Sequence, residues 1–422
     1  MVRRRAPADF APRWVTEVEL AEPVAPLRAP RRGDGATYAQ AQVLARLHAQ
    51  PLGLATVPLA DGAASVDVIL EAVRDQLPGP LADHLRADEI LPGALTGEGL
   101  EDSCHVAAPK GAQPFASVVV CTRDRAESLR RALRSVLAMD YPDFELVVVD
   151  NAPRTSATRD VVAELADSRV RYVLEPRPGL SCARNQGVAE ARGEIVAFTD
   201  DDVVADVGWL AALVAGFGRA PHVGAVTGLV PGAEIETAAQ AYFETKLDWA
   251  EVFEARVYDL GEHRADHPAY PYSAGHFGAG ANFAATRSTL AKVGPFDEAL
   301  GAGTPSRGGE DLDYFLRVIL GGCAIAFEPA ALVWHVHRRE EAVLVQQMYG
   351  YGSGLTAYLV KHMLITRGAA RTVLGALPRA VASFAKPFGT TRSATAVPPG
   401  AMRKELEGLV AGPVLYLRGR RR

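Results

Sequence analysis

Three groups of side chains have the types and spacing to do chemistry. The densest is Thr199-Asp200-Asp201-Asp202. Adjacent carboxylates repel one another, and hard divalent cations take oxygen ligands. The run therefore reads as a site for Mn2+ or Mg2+, the bland alternative being an acidic turn before a helix. The second group is Gly308-Gly309-Glu310-Asp311-Leu312-Asp313. Acids there either serve the dipole of the helix they open or supply a general base from a glycine-rich loop. The third is Trp334-His335-Val336-His337. Neutral imidazole suits Mn2+ or a softer metal, and at most one of the two histidines is expected to meet it. A lone carboxylate, Asp150, could accept hydrogen bonds from a ribose hydroxyl or a base N–H, or could cap a turn with Asn151 and Pro153.

These groups need a frame to bring them together. From Phe115 the chain alternates strand and helix. Ala116 to Cys121 and Phe144 to Val149 are apolar runs suited to buried parallel strands. Leu129, Ala132, Leu133, Val136 and Leu137 mark one face of a helix between them. A helix around 157–166, a strand at 170–174, a helix opened by Gly179-Leu180-Ser181 and a strand at 195–198 follow. Repeated βα units predict an α/β fold with a doubly wound, mostly parallel sheet flanked by helices. Ligands bind such sheets at the carboxyl ends of strands, where Asp150 and the Asp200 run both fall.

Two flanking zones carry no comparable chemistry. Residues 1–112 read as a small α+β accessory domain, with short strands near 14–20 and 43–47 and a helix capped by Ser65 that presents Val66, Ile69, Leu70, Val73 and Leu77. Residues 101–115 read as a linker. Residues 113–340 form the catalytic domain, and 341–422 a helical, basic C-terminal extension, in which Tyr349 to Gly354 is expected to break or bend the helix. Prolines 378, 387, 398 and 399 are expected to interrupt the tail.

The chain has 422 residues, 48% of them hydrophobic, and a formal charge of −5. Those values exclude a wholly disordered chain and nucleic-acid binding through bulk charge. The four cysteines are too sparse for a disulfide framework, and no secretory signal or transmembrane run is read. The expected location is therefore cytoplasmic, with peripheral contact at the inner face of the membrane considered below. The charge is uneven: residues 367–422 hold 11 Lys/Arg against two Glu, a net of +9, which leaves −14 for the rest.

With these motifs in order, residues 115 to about 340 resemble the family-2 glycosyltransferases of the GT-A fold. The motifs that carry the likeness are Val118 to Arg125, Phe144 to Asn151, Gly179-Leu180-Ser181-Cys182-Ala183-Arg184-Asn185, Asp200-Asp201-Asp202, Gly280-Ala281-Asn282, Glu310-Asp311 and His335. The resemblance implies that Thr122, Arg123, Asp124 and Asp150 line a nucleotide pocket, supported by Arg184 and Asn185. It implies that Asp200 and Asp202 form a D-x-D metal motif with His335, Asp202 being the best direct ligand, and that Asp201 lies between ribose and donor sugar. Asp311 is the implied base with Glu310 beside it, and Gly280, Ala281 and Asn282 face the acceptor. One departure is Cys121-Thr122 where Pro-Thr is usual.

The expected activity is metal-dependent, inverting transfer from a nucleotide sugar, UDP-linked by preference, to a hydroxyl of a glycan, lipid-linked or small-molecule acceptor. Acceptor choice is expected from residues 230–280, with Tyr242, Phe243, Trp249, Phe253, Tyr258, Tyr270 and Tyr272; such rings suit sugars and apolar aglycones, and a core equally. A sugar-phosphate nucleotidyltransferase is the competing enzyme, but it would want a glycine-rich loop where Cys121 to Arg125 has no glycine. A non-catalytic nucleotide-sugar-binding protein is the third reading. The basic tail either lies on an anionic membrane surface or packs as solvated helices against the catalytic domain.

Overall fold

The computed structural model describes residues 10–91, 95–100, 113–246, 252–385, 398 and 400–421. Most of the expected linker, together with Trp249, Pro387 and Pro399, lies outside them. The N-terminal unit contains β1 (Trp14–Glu19), β2 (Leu27–Arg28), β3 (Gln40–Leu47), β4 (Gln50–Pro58), β5 (Ala63–Ala64), α1 (Val66–Gln76) and α2 (Pro78–Ala87). Its sheet has the order β1-β3-β4, with β1 parallel to β3 and β4 antiparallel to it. Ile69, Leu70 and Val73 of α1 are buried against this sheet's apolar face, as their spacing requires. Ser65 stands at the N-cap, but its hydroxyl makes no capping hydrogen bond.

The central unit follows as β6 (Ala116–Thr122), α3 (Ala126–Leu137), β7 (Phe144–Asn151), α4 (Ala157–Leu165), β8 (Val170–Glu175), α5 (Leu180–Glu190), β9 (Ile195–Asp200), β10 (Val203–Ala205), α6 (Trp209–Gly216), β11 (Val223–Leu229), α7 (Ala238–Glu244), β12 (Arg256–Tyr258), β13 (Asn282–Thr286), α8 (Arg287–Val293), α9 (Glu310–Leu320) and β14 (Ala324–His335). These strands make one nine-stranded sheet, order β10-β14-β11-β13-β9-β6-β7-β8, with β12 also on β14. Strands β6–β9, β11 and β14 run one way, and β10, β12 and β13 the other. Every residue of β7 is buried, and apart from Glu145 the strand is apolar up to Asp150.

Two registers set the site. Cys121 pairs with Asp200 and Thr122 with Asp150, so the two acids flank β6 at the carboxyl end of the parallel strands on either side of it. Val203 pairs with His335 across the antiparallel β10–β14 ladder, which returns the histidine to the Asp200 run.

The C-terminal region is helical: α10 (Glu341–Ile365), α11 (Ala369–Ala385) and α12 (Ala401–Gly419). The expected break at Tyr349 to Gly354 does not occur, because α10 is continuous through it. The glycines serve close packing instead. A Cβ on Gly352 would stand 2.1 Å from the Glu405 carbonyl oxygen, and one on Gly408 2.2 Å from that of Tyr349. On its other side α10 meets the loop before α9: a Cβ on Gly354 would lie 2.6 Å from the Gly308 carbonyl carbon. Nor does Pro378 interrupt the tail where it stands, since α11 runs through it; a proline removes one hydrogen bond without having to end a helix. No helix among the described residues is long and apolar enough to cross a membrane.

Candidate active site

At the carboxyl edge of the sheet, Asp200, Asp202 and His335 each offer a ligand atom, and these atoms lie within 4.8 Å of one another. His335 Nε2 is 3.3 Å from Asp202 Oδ1. Its Nδ1 lies 2.9 Å from His337 Nδ1, and His337 turns its Nε2 to Glu244 at 2.7 Å. The two rings thus lie side by side, with His335 next to the acids and His337 one step behind. Burial and the neighbouring Asp202 push the Asp200 carboxyl up, with Arg184 pulling against them. For Asp202 burial is outweighed by His335 and Arg125, which hold it well below the usual carboxylate range. Burial is likewise outweighed at His335, which Asp202 pushes up. A buried carboxylate, a half-buried one and an imidazole within mutual reach are a donor set that fits a divalent cation.

Two arginines that sequence reasoning missed sit among these acids. Arg125 reaches Asp202 Oδ2 at 2.8 Å and pairs with Asp201 as well, and Arg338 lies 3.2 Å from Asp202. Their signal was local: Arg125 ends the turn after β6, and Arg338 follows the histidine pair. Asp201 also accepts a 2.7 Å hydrogen bond from Thr122 Oγ1, and burial raises its pKa to about 6.

Glu310 and Asp311 open α9 after Gly309, whose φ of +89° favours glycine. Asp311 Oδ2 accepts from the Gly280 N–H at 2.9 Å, and Oδ1 from its neighbour Leu312 at 2.8 Å. Arg184 is buried between the acidic groups. It donates to Glu310 Oε1 at 3.1 Å and to the Gly280 carbonyl at 2.9 Å, and stands 3.7 Å from Asp200. A Cβ on Gly280 would fall 2.8 Å from Asp311 Oδ2, so only glycine permits this contact. Burial, aided by Asp311, raises the Glu310 carboxyl to about 7.

Asp150 is fully buried. Its Oδ2 accepts from the Tyr172 hydroxyl at 2.9 Å, while Oδ1 has no hydrogen-bond partner among the described residues. Burial pushes its pKa up. Asp124, at φ +54°, accepts from Arg154 N at 2.9 Å and Nε at 2.7 Å, and Arg123 is exposed beside it. Asn185 spends its amide on the backbone of Phe296. Asn282 is fully buried, donating to the Leu229 and Ala331 carbonyls and accepting from the Trp209 indole. The loop it ends therefore offers backbone: Gly280 to Asp311 and Arg184, and the Ala281 carbonyl to Thr199 at 2.8 Å. Of the aromatic side chains expected to choose an acceptor, Tyr242, Phe243, Tyr258, Tyr270 and Tyr272 belong to the core.

The mostly parallel α/β sheet with acids at its carboxyl edge agrees with the GT-A fold that the sequence resembles. Residues 117–279 match the family model for glycosyl transferase family 2. The pre-mycofactocin glycosyltransferase of Mycobacterium tuberculosis is 28% identical over 246 residues, covering 58% of this chain and 48% of that protein. A GalNAc(5)-diNAcBac-PP-undecaprenol beta-1,3-glucosyltransferase from Campylobacter jejuni is 36% identical over 93 residues, 21% of this chain and 30% of that one. A mannosyltransferase from Pyrobaculum calidifontis, solved with GDP-Man and Mn2+, aligns at a TM-score of 0.48 with 19% identity, covering 82% of this chain and 97% of that one. The chain spans about half the length of the first curated relatives it matches.

Proposed function

We propose that the chain transfers a glycosyl group from a nucleotide-sugar donor, UDP-linked by preference, to an acceptor hydroxyl with inversion at the anomeric carbon. The observation that carries this reading is the convergence of Asp200, Asp202 and His335 on the sheet edge that also holds Asp150. Those three residues would hold a divalent cation, which supplies charge neutralisation for a diphosphate leaving group; the imidazole among the donors favours Mn2+ over Mg2+. Asp150, with one oxygen unpartnered, takes a base N–H or ribose hydroxyl. Asp311, held by the Gly280 N–H, takes the acceptor proton as that oxygen attacks the anomeric carbon and the bond to phosphate breaks. Arg125 and Arg338 stand where they can meet phosphate oxygens. Nucleotide release from a panel of nucleotide sugars, with and without Mn2+, tests the proposal. Asp311→Asn should lower turnover by about 10²–10⁴ and leave nucleotide binding intact. Metal-independent turnover, or an unaffected Asp311→Asn, would sink the mechanism.

The acceptor is proposed to be presented at an anionic lipid surface. On α12, Ala401, Gly408, Gly412 and Tyr416 face inward, while Met402, Leu406, Val410, Val414 and Leu417 form an exposed stripe, Val410 being 81% accessible. Arg403, Arg418, Arg420 and Arg421 are exposed on the same segment. Apolar and cationic side chains together fit the interface of an anionic bilayer. Sedimentation with phosphatidylglycerol vesicles should carry the wild type down and leave Val410→Glu, Val414→Glu in solution; equal partition of the two overturns the idea.

A further inference from the structure

A second cluster of metal-ligating groups lies in the N-terminal unit and plays no part in the site above. His48 and Ala49 form the two-residue turn between β3 and β4, both at positive φ. His84 and Asp88 lie four residues apart at the C-terminal end of α2. His48 Nδ1 is 3.0 Å from Asp88 Oδ2 and 3.3 Å from His84 Nε2, and that Nε2 is 3.0 Å from the same oxygen. Tetrahedral zinc, with bonds of about 2.0–2.1 Å, holds its ligand atoms roughly 3.3 Å apart. The triangle's edges of 3.0, 3.0 and 3.3 Å lie within about 0.3 Å of that spacing. The Asp88 side chain is fully buried and both imidazoles are about nine-tenths buried. The carboxylate also sits at the end of a helix where the macrodipole disfavours negative charge. Glu19 fixes the turn from outside, accepting the N–H groups of His48 and Ala49 at 2.9 and 2.8 Å.

We propose that His48, His84 and Asp88 form a Zn2+ site that ties the β3–β4 turn to α2, with water in the fourth position. Two nitrogens and one carboxylate oxygen suit zinc. The test uses the full chain, stripped of metal and titrated with Co2+, with Zn2+ as competitor. To remove the Asp200 site from the readout, the titration is run in a His335→Ala background. One equivalent of cobalt should give the intense visible bands of tetrahedral coordination, and zinc should displace it. Adding His84→Ala should abolish the bands. His84→Gln serves the same purpose should the alanine variant unfold. No tetrahedral spectrum in the His335→Ala protein overturns the proposal and leaves a metal-free triad in which both imidazoles donate to Asp88. Bands that survive loss of His84 overturn it equally.

Discussion

Gly354→Ala decides what the α10 glycines are for. A methyl at this position would stand 2.6 Å from the Gly308 carbonyl carbon, 2.8 Å from Gly309 N and 2.9 Å from Gly308 Cα. All three are backbone atoms, so no side chain can swing away. Ordinary contact begins near 3.4 Å, and α10 and the loop must separate by roughly 0.8 Å, the difference of those distances. The loop leads directly into Glu310 and Asp311, so the displacement reaches the proposed base. Overpacking of this kind costs about 1–3 kcal/mol, and a misplacement near 1 Å can lower turnover about 10²-fold. Nucleotide affinity should hold, because Asp150 lies on β7 away from this contact. Gly375→Ala on α11 is the control, with no atom within 4 Å of its new methyl; it should stabilise by about 0.5–1 kcal/mol. Urea unfolding and turnover are measured on both variants. Were the glycines a flexible break, Gly354→Ala would stabilise as Gly375→Ala does, and that sign, or unchanged turnover, refutes the packing argument.

Other outcomes follow from the charged groups. Glu310 titrates near 7 in the folded chain against 4.5 normally. Between those values the folded state keeps a proton that the unfolded state has lost, so stability falls as pH rises from about 4.5 to about 7, by at most roughly 3 kcal/mol. Glu310→Gln should flatten that slope in denaturant titrations across pH, and an unchanged slope assigns it to another group. Asp313, buried with Lys361 at 2.7 Å, His362 at 3.0 Å and Arg317 at 2.9 Å, is held well below the usual range because the His362 hydrogen bond and the Arg317 and Lys361 charges outweigh burial. Asp313→Asn should cost about 3 kcal/mol at neutral pH. The deficit should shrink as acid takes the wild-type carboxylate through its depressed pKa, and a pH-independent deficit contradicts the charge pairing. Asp150→Ala should weaken UDP binding about 10- to 100-fold by calorimetry, as loss of a hydrogen bond to a charged group requires; unchanged affinity removes Asp150 from the nucleotide pocket.

The readable part of the fold was the part written in local pattern. β6, β7 and β9 are apolar runs that end at or beside Asp150 and Asp200, and a buried parallel strand has no other way to look. β4 escaped notice because Gly53 and two prolines blur its alternation, and because the turn before it uses His48 and Ala49, not the Asn-Gly or Asp-Gly that marks a two-residue hairpin. The α10 glycines were misread for a related reason. A glycine states only that a Cβ is unwelcome, and whether the cause is a bend or a neighbouring backbone depends on Glu405 and Gly308, far away in sequence. The aromatic residues of 230–280 show the same limit: residue type alone does not separate a sugar platform from a core, and burial places five of them in the core.

At the site, sequence pattern located the acids but not their compensation. Asp200 to Asp202 announce a charge problem, and a divalent cation is one answer to it. The fold supplies a second from Arg125, Arg184, Arg338 and His335, drawn from the turn after β6, from α5, and from β14 and the residues beyond it. None of these lies within ten residues of the acids it faces. They meet only because β6 and β9 are paired in register and β14 returns antiparallel to β10. A buried acidic cluster without such partners would stay protonated or unfold the edge of the sheet. With them Asp202 is held below its ordinary pKa, while burial still pushes Asp200 and Asp201 up. The −14 body is thus locally neutralised where its acids converge, and the two guanidinium groups on Asp202 leave cationic donors beside the carboxylates that would hold a metal.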